Sequence, residues 1–213
     1  VITTDIPEAQ EFRNQVSGII SRPPELAGGS ANSVRTTQHA VRAAKSMVDY
    51  EYDYICLIQC TSPLRQPIDI QRSLEMLTVG AVGTTGTLEM PDSVLSVTRL
   101  EDEHPERCYS WKVDDYLEPY LHHVNSSWPV DQSGLRQLLE PVYLRNGAVY
   151  ACTRDLIMNH DTFIGSRCLP YIMPRSRSVN IDVESDLVVA EAMMKALDGG
   201  DGVLETYYRE VPA

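Results

Sequence analysis

Seven consecutive residues, Gln59-Cys60-Thr61-Ser62-Pro63-Leu64-Arg65, carry a carboxamide, two hydroxyls and a guanidinium. Groups of this kind can hold a polyhydroxylated or anionic ligand. The same residues are also ordinary turn chemistry, because Ser-Pro opens turns and Thr and Ser satisfy loop amides. A second oxygen-rich stretch, Asn180-Ile181-Asp182-Val183-Glu184-Ser185-Asp186, precedes an apolar-periodic segment. Alternate residues of an extended segment point the same way, so Asn180 and Asp182 can face one ion. Mg²⁺ takes one or two carboxylates plus phosphate oxygens and water. Acids at a helix N-terminus are equally what the helix dipole favours. Arg136 and Arg145 flank a return to apolar sequence and could pair bidentately with a carboxylate, or could be surface arginines at element ends. Arg175 and Arg177 are expected to pair with the acidic turn that follows them. No nucleophilic triad spacing and no GxGxxG is present, and the histidines have no metal-ligand spacing. His122 and His123 are adjacent and in a strand would point apart.

The elements that must position these groups read as β-α-β-α-β-α-β through residue 99. Val1 to Asp5 and Gly18 to Ser21 are strand-like, with a short helix over Pro7 to Gln15 and a Pro/Gly loop from Arg22 to Ser30. A helix starts near Asn32, with Val34, Thr37, Val41, Ala44 and Val48 as its inner stripe. Tyr54-Ile55-Cys56-Leu57-Ile58 is a continuous apolar run, as in a central strand of a parallel sheet. A helix from Pro67 or Asp69 to about Leu77 precedes the strand Ser93 to Arg99. Residues 100–145 lose periodicity and gather Tyr109, Trp111, Tyr116, Tyr120 and Trp128, which predicts an insertion of short antiparallel strands and loops that is either a lid, substrate wall or partner-facing arm, or a plain surface excursion. The segments Gly147 to Cys152 and Leu169 to Met173 are strands around a short helix at Arg154 to Asn159. A last helix is capped by Asp182, with Val183, Leu187, Ala190, Met194 and Leu197 as its buried stripe. The result is an α/β fold in one domain over residues 1–213.

The composition sets the outer bounds. The 213 residues carry 30 acids and 18 bases, a net charge of −12. That balance excludes a general nucleic-acid binder, which needs an excess of cations against phosphates. Only three of the bases are lysines (Lys45, Lys112 and Lys195), so arginine supplies nearly all positive charge. No apolar run approaches the roughly 18 residues of a membrane helix, and no basic-then-apolar leader opens the chain. The five cysteines are odd in number, form no CxxC pair, and are expected to be reduced and mostly buried. A cytoplasmic protein without membrane contact is expected.

Several weak signals occur together in a specific order. Arg22-Pro23-Pro24-Glu25-Leu26-Ala27 resembles the RPxELA motif of the acylneuraminate cytidylyltransferases, the CMP-sialic acid synthetases. His39-Ala40 follows on the next helix, and Gln59 to Arg65 resembles that family's QPTSPLR loop. Ser93 to Arg99 followed by His104-Pro105 is similar to SVxSVTR…HP, and Asn146-Gly147-Ala148-Val149-Tyr150 to NGAIY. Ser178 to Asp182 with Asp186-Leu187 and Ala190-Glu191 is similar to SxDID…DL…AE.

The resemblance implies a Rossmann-like nucleotide-diphospho-sugar transferase sheet, with helices on both faces and an inserted dimerisation arm. It implies Mg²⁺-dependent transfer of CMP from CTP to a nonulosonic acid, a sialic-acid-like α-keto acid sugar, with release of pyrophosphate. By position, Asp182 and Asn180 become the metal site and Asp182 and Arg136 the catalytic pair. Gln59, Thr61, Ser62, Arg65, Arg145, Asn146 and Gly147 contact substrate, and Arg22 and Asp5 the nucleotide. A homodimer is implied.

This chain departs from the pattern in four places. Asn180 replaces an Asp, Cys60 a Pro, Gly28-Gly29 the Asp after ELA, and Leu144 the usual position of an Arg. The family's glycine- and basic-rich triphosphate loop would precede Val1, so the expectation is a domain lacking its first βα unit. Two alternatives to the cytidylyltransferase stay open: a non-catalytic sugar-acid-binding or dimerising relative, and a nucleotidyltransferase acting on another sugar.

Overall fold

The structure, a computed structural model, describes residues 1–28, 31–82, 86, 88–101, 103–111, 116–123 and 139–198. The chain opens with β1 (Ile2–Thr4) and β2 (Ile19–Ser21), which pair in parallel across a nine-residue 3-10 segment, Pro7–Gln15. Helix α1 (Ser33–Val48) follows. The Asn32 side chain accepts from the backbone N–H groups of Val34 and Arg35, satisfying two of the orphan donors of the first turn. Then come β3 (Tyr54–Leu57), α2 (Pro67–Val79), the short pair β4 (Ala81–Val82) and β5 (Leu88–Glu89), and β6 (Ser93–Arg99). The aromatic-rich region holds a hairpin, β7 (Tyr109–Trp111) and β8 (Leu117–Pro119). His122 and His123 close a 3-10 turn, not a strand. The last described elements are β9 (Tyr143–Thr153), α3 (Arg154–Asn159), β10 (Cys168–Ile172) and α4 (Glu184–Asp198).

The main sheet has four strands in the order β10-β6-β9-β3. Strands β10 and β6 run parallel, and β9 is antiparallel to both β6 and β3. The carboxyl ends of β3, β6 and β10 therefore share one edge of the sheet. Helices cover both faces. On one, Leu77 of α2 packs with Val94, Ala151 and Met173. On the other, Leu156 and Ile157 of α3 pack on Cys152. Ala151 and Cys152 are neighbours in β9 that serve opposite faces, as the two-residue period of a strand requires.

Three sequence-based expectations are corrected. The apolar run of β3 does not lie at the centre of a parallel sheet: among the described residues it is the edge strand, with Tyr54 exposed. The inner strands are β6 and β9, and in β9 Ala148, Val149, Ala151 and Cys152 are inaccessible to solvent and Asn146 is buried. Helix α4 buries only Ala190 of its expected stripe, while Val183, Leu187 and Met194 are exposed. Asp182 does not use its side chain to cap α4. Instead Asp186 reaches back and accepts from the N–H groups of Asp182 and Val183, which holds its carboxyl below the ordinary Asp range.

The cysteines are all free, but only Cys152 is fully buried, and Cys60 and Cys108 are exposed. Burial pushes the Cys56 thiol up to about 11 and that of Cys152 up to about 12. Among the described residues no helix is long and apolar enough to cross a membrane. Thiol titration with a chromogenic disulfide at pH 8 should accordingly show two fast groups in the native protein, Cys60 and Cys108. All five should react in guanidinium, and fast native labelling of Cys56 or Cys152 would contradict the packing.

Candidate functional site

The site is built around a mismatch between β6 and β9. Leu95 pairs with Tyr150 and Val97 with Arg145, so the step from 95 to 97 on β6 is matched by the step from 145 to 150 on β9. The extra residues form a bulge over Asn146 to Val149, with Gly147 at φ +75°. A strand buried in this way leaves its backbone polar groups without ladder partners, and side chains must replace them. Ser96 does so by accepting from Val149 N–H at 2.7 Å, with its own oxygen 2.6 Å from Asn146 Oδ1 and 3.0 Å from the Val149 carbonyl. Ser62, fully buried, donates to the Asn146 carbonyl at 3.0 Å.

Asn146 is the hub of this cluster. Its Oδ1 also accepts from Ala148 N–H, and its Nδ2 donates to Ser178 Oγ at 2.9 Å. Ser178 in turn donates to the Pro174 carbonyl. One buried amide thus joins β6, β9 and the segment after β10. Its hydrogen-bonding capacity is spent on the protein, so Asn146 anchors backbone. Arg65 is used similarly, donating to the carbonyls of Gln59 and Ala148 at 3.2 and 2.8 Å. Burial lowers its guanidinium from the ordinary value, an effect that Cys56 and Asp69 oppose.

Gly147 forms the floor of the site. A Cβ there would lie 2.8 Å from Gln59 Oε1, 3.0 Å from Ser62 Oγ and 3.4 Å from Asn180 Oδ1. Three of the sequence-selected side chains therefore converge over one glycine, from the loop after β3 and the loop after β10. These loops are stitched directly, since Ile181 N–H donates to the Thr61 carbonyl at 2.8 Å. Asn180 Oδ1 is buried and has no hydrogen-bond partner among the described residues, while Asn180 Nδ2 donates to Asp182 Oδ2 at 2.7 Å. A buried carbonyl oxygen without a donor is costly unless something else supplies one.

Arg145 is exposed on β9, one residue before the hub. Arg136 lies outside the described residues. Asp5 and Arg22 sit at the carboxyl ends of β1 and β2, 3.8 Å apart as an ion pair. Arg22 Nη2 donates to the Thr3 carbonyl at 2.7 Å, and Arg22 Nε and Thr3 Oγ1 are buried without partners among the described residues. Among the described hydrogen bonds and ion pairs, none joins Asp5 or Arg22 to Gln59, Asn180 or Asp182.

Divalent-metal chemistry can be tested against the donors present. Among the described residues no group of three or more His, Cys, Asp or Glu side chains gathers as a metal site. Asp182 offers a carboxylate, and Asn180 Oδ1 is an unpartnered neutral oxygen. One carboxylate plus a carbonyl fits Mg²⁺ where phosphate oxygens of a ligand complete its shell.

Sequence reasoning missed the residues that hold this cluster. Ser96 was legible as a polar interruption of Ser93-Val94-Leu95-Ser96-Val97. Asp69 was legible at the third position of α2, where it closes a capping box with Gln66. Arg175 and Arg177 do not pair with the following acids: Arg175 meets Glu103, and Arg177 meets Asp69. Tyr171 donates to Asp69 at 2.9 Å, and burial beside that carboxylate pushes its phenol up to about 12.

A mixed sheet covered on both faces, with its polar cluster beyond the carboxyl ends of the parallel strands, defines an α/β protein of the Rossmann-like nucleotidyltransferase type. No family model matches the chain. It is 32% identical over 170 residues to N-acylneuraminate cytidylyltransferase B of Danio rerio, covering 80% of this chain and 35% of that protein. It is 27% identical over 191 residues to N-acylneuraminate cytidylyltransferase of Escherichia coli O18:K1:H7, covering 89% of this chain and 40% of that one. The CMP-N,N'-diacetyllegionaminic acid synthase of Legionella pneumophila is 25% identical over 204 residues, 92% of this chain and 77% of the synthase. These likenesses support placing the chain with the acylneuraminate cytidylyltransferases. It spans 35% to 40% of the length of the cytidylyltransferases named N-acylneuraminate cytidylyltransferase among these relatives.

Because Gly147 has positive φ and its Cα faces Gln59 and Ser62, Gly147→Ala should cost about 1–3 kcal/mol. It should also weaken ligand binding at this edge. A denaturant midpoint indistinguishable from wild type would show that the bulge is not built as described.

Proposed function

We propose that this protein transfers CMP from CTP to a nonulosonic acid and releases pyrophosphate. The observation that carries the reading is the convergence of Gln59, Ser62 and Asn180 over Gly147 in a chain of this family. Gln59, Thr61, Ser62 and Gly147 would bind the sugar, with Asn146 and Arg65 holding the backbone that presents them. Arg145 and Arg136 would meet the sugar carboxylate, and Arg22 and Asp5 the nucleotide. The unpartnered Arg22 Nε and Thr3 Oγ1 are polar atoms that a ligand could satisfy. In the reaction, the anomeric hydroxyl oxygen bonds to the α-phosphorus of CTP, the bond from that phosphorus to the bridging oxygen breaks so that pyrophosphate leaves with the electron pair, and the hydroxyl proton passes to solvent.

Asp182 and Asn180 would hold Mg²⁺ against the phosphates. When bound there, such an ion would supply neutralisation of phosphate charge and of charge developing in transfer. Asn180 Nδ2 fixes one oxygen of Asp182 and leaves the other for a ligand. The hairpin β7–β8 exposes Trp111 at 75% and Tyr116, next to it, at 74%. A pair of large aromatic side chains on an arm suits contact with a second copy, and the reading includes a cytoplasmic homodimer.

The single-carboxylate site favours one other reading, a relative that binds the sugar acid without turnover. One assay separates the two. Protein from the complete reading frame containing this chain is incubated with CTP, Mg²⁺ and sialic or legionaminic acid, and pyrophosphate is measured. Release supports the transferase, and calorimetric sugar binding with no release supports the binder. In the transferase, Asp182→Ala should lower the rate on the order of a hundredfold or more. Asn180→Asp should tighten Mn²⁺ binding about tenfold or more, since it adds a charge beside Asp182. Unchanged Mn²⁺ affinity in both variants would remove these residues from the metal site.

A further inference from the structure

Asp69 is the only acidic side chain among the described residues that is fully buried, and the proposed reaction gives it no part. Its Oδ1 accepts from Arg177 Nη2 at 2.7 Å and from Tyr171 OH at 2.9 Å. Its Oδ2 accepts from Arg177 Nε at 3.3 Å and from Gln66 N–H at 2.8 Å. The guanidinium therefore engages both oxygens as a fork, across 108 residues of sequence.

The two ends of this pair are significant. Asp69 caps the first turn of α2, immediately after the Gln59 to Arg65 loop. Arg177 closes the 3-10 turn Arg175–Arg177, immediately before Ser178, Asn180 and Asp182. The same two loops meet again where Ile181 N–H donates to Thr61. Capping a helix needs only one carboxylate oxygen. Burying an ion pair is a poor source of stability compared with apolar packing, but it imposes a defined geometry on whatever it joins. Hydrogen bonds that lock the rotamers of supporting residues are what hold a site to the tolerance chemistry needs.

We propose that Asp69 is a positioning residue: through the fork of Arg177 it sets the placement of Asn180 and Asp182 against Gln59 and Ser62. This rests on the reading of those two loops as the walls of the ligand site. The test uses amide hydrogen exchange, which does not depend on any ligand. Two variants are compared with wild type, Asp69→Asn, and Arg177→Lys, which keeps the charge and loses the fork. Tyr171→Phe, which leaves the fork intact, is the control.

The expected result for Arg177→Lys is exchange of the Ile181 amide at least about tenfold faster, with Val94 and Val149 in the core within about twofold. Asp69→Asn should do the same if it folds, and Arg177→Lys decides if it does not. Tyr171→Phe should leave Ile181 protected. An Ile181 amide that keeps its protection in Arg177→Lys, or core amides that loosen equally, overturns the proposal. In the pyrophosphate assay Arg177→Lys should lower kcat on the order of tenfold to a hundredfold, and an unchanged kcat counts against the proposal. If wild type releases no pyrophosphate, the transferase reading fails, and the exchange ratio still decides the role of Asp69.

Discussion

The bulge of β9 against β6 governs the rest of this molecule. A buried strand with unmatched residues would leave amides and carbonyls unpaired, at a cost of about 1–3 kcal/mol for each. Ser96, Asn146 and Ser62 meet that demand with hydrogen bonds to the carbonyls and N–H groups of residues 146–149. The consequence is a left-handed glycine at the carboxyl edge of the sheet, where the loops after β3 and β10 close over it. Asn146 reaches Ser178, so the strand defect and the loop that carries Asn180 and Asp182 form one connected network. Such networks are worth having only when fully satisfied, and beside this one Asn180 Oδ1 is left without a partner among the described residues.

Charge is distributed in a way that the net value of −12 conceals. Positive groups near the site are largely committed: Arg65 to backbone carbonyls and Arg177 to the buried Asp69. Among the described residues, Arg145 is exposed and the buried Nε of Arg22 has no hydrogen-bond partner. The site itself is nearly neutral, with one carboxylate and one amide. A neutral, partly buried cradle loses less to desolvation than two adjacent carboxylates would. That difference separates Asn180 from the Asp implied by the family pattern, and in the proposed reading it would set the metal affinity of the site.

Much of this was legible in the sequence, because local rules decided it. The Asn32 cap, the α2 span and the β6 strand follow from spacing and cap chemistry, and the antiparallel pair in the aromatic region was expected from the loss of periodicity there. By position in the ordered motifs, the resemblance implied substrate roles for Gln59, Ser62 and Gly147 and a metal role for Asn180, and the structure brings these four residues together. What failed was long-range. Strand β3 reads as central because its residues are apolar, but pairing partners are chosen by topology, and β9 took the inner position. The stripe of α4 has helical period, yet periodicity does not say that a partner surface is present. The Asp69–Arg177 pair joins residues 108 apart, and both have local explanations that hide the link. The resemblance implied a substrate contact or a backbone anchor for Asn146, and its hydrogen bonds in the structure are those of an anchor.

The account depends on the two loops over Gly147 acting as one ligand site. Titration of isotopically labelled protein with N-acetylneuraminic acid, followed by amide chemical shifts, tests this most directly. The account predicts that Gln59, Thr61, Ser62, Gly147, Asn180 and Asp182 shift together along one saturating curve. Shifts confined to other surfaces, or none at saturating sugar, would contradict it.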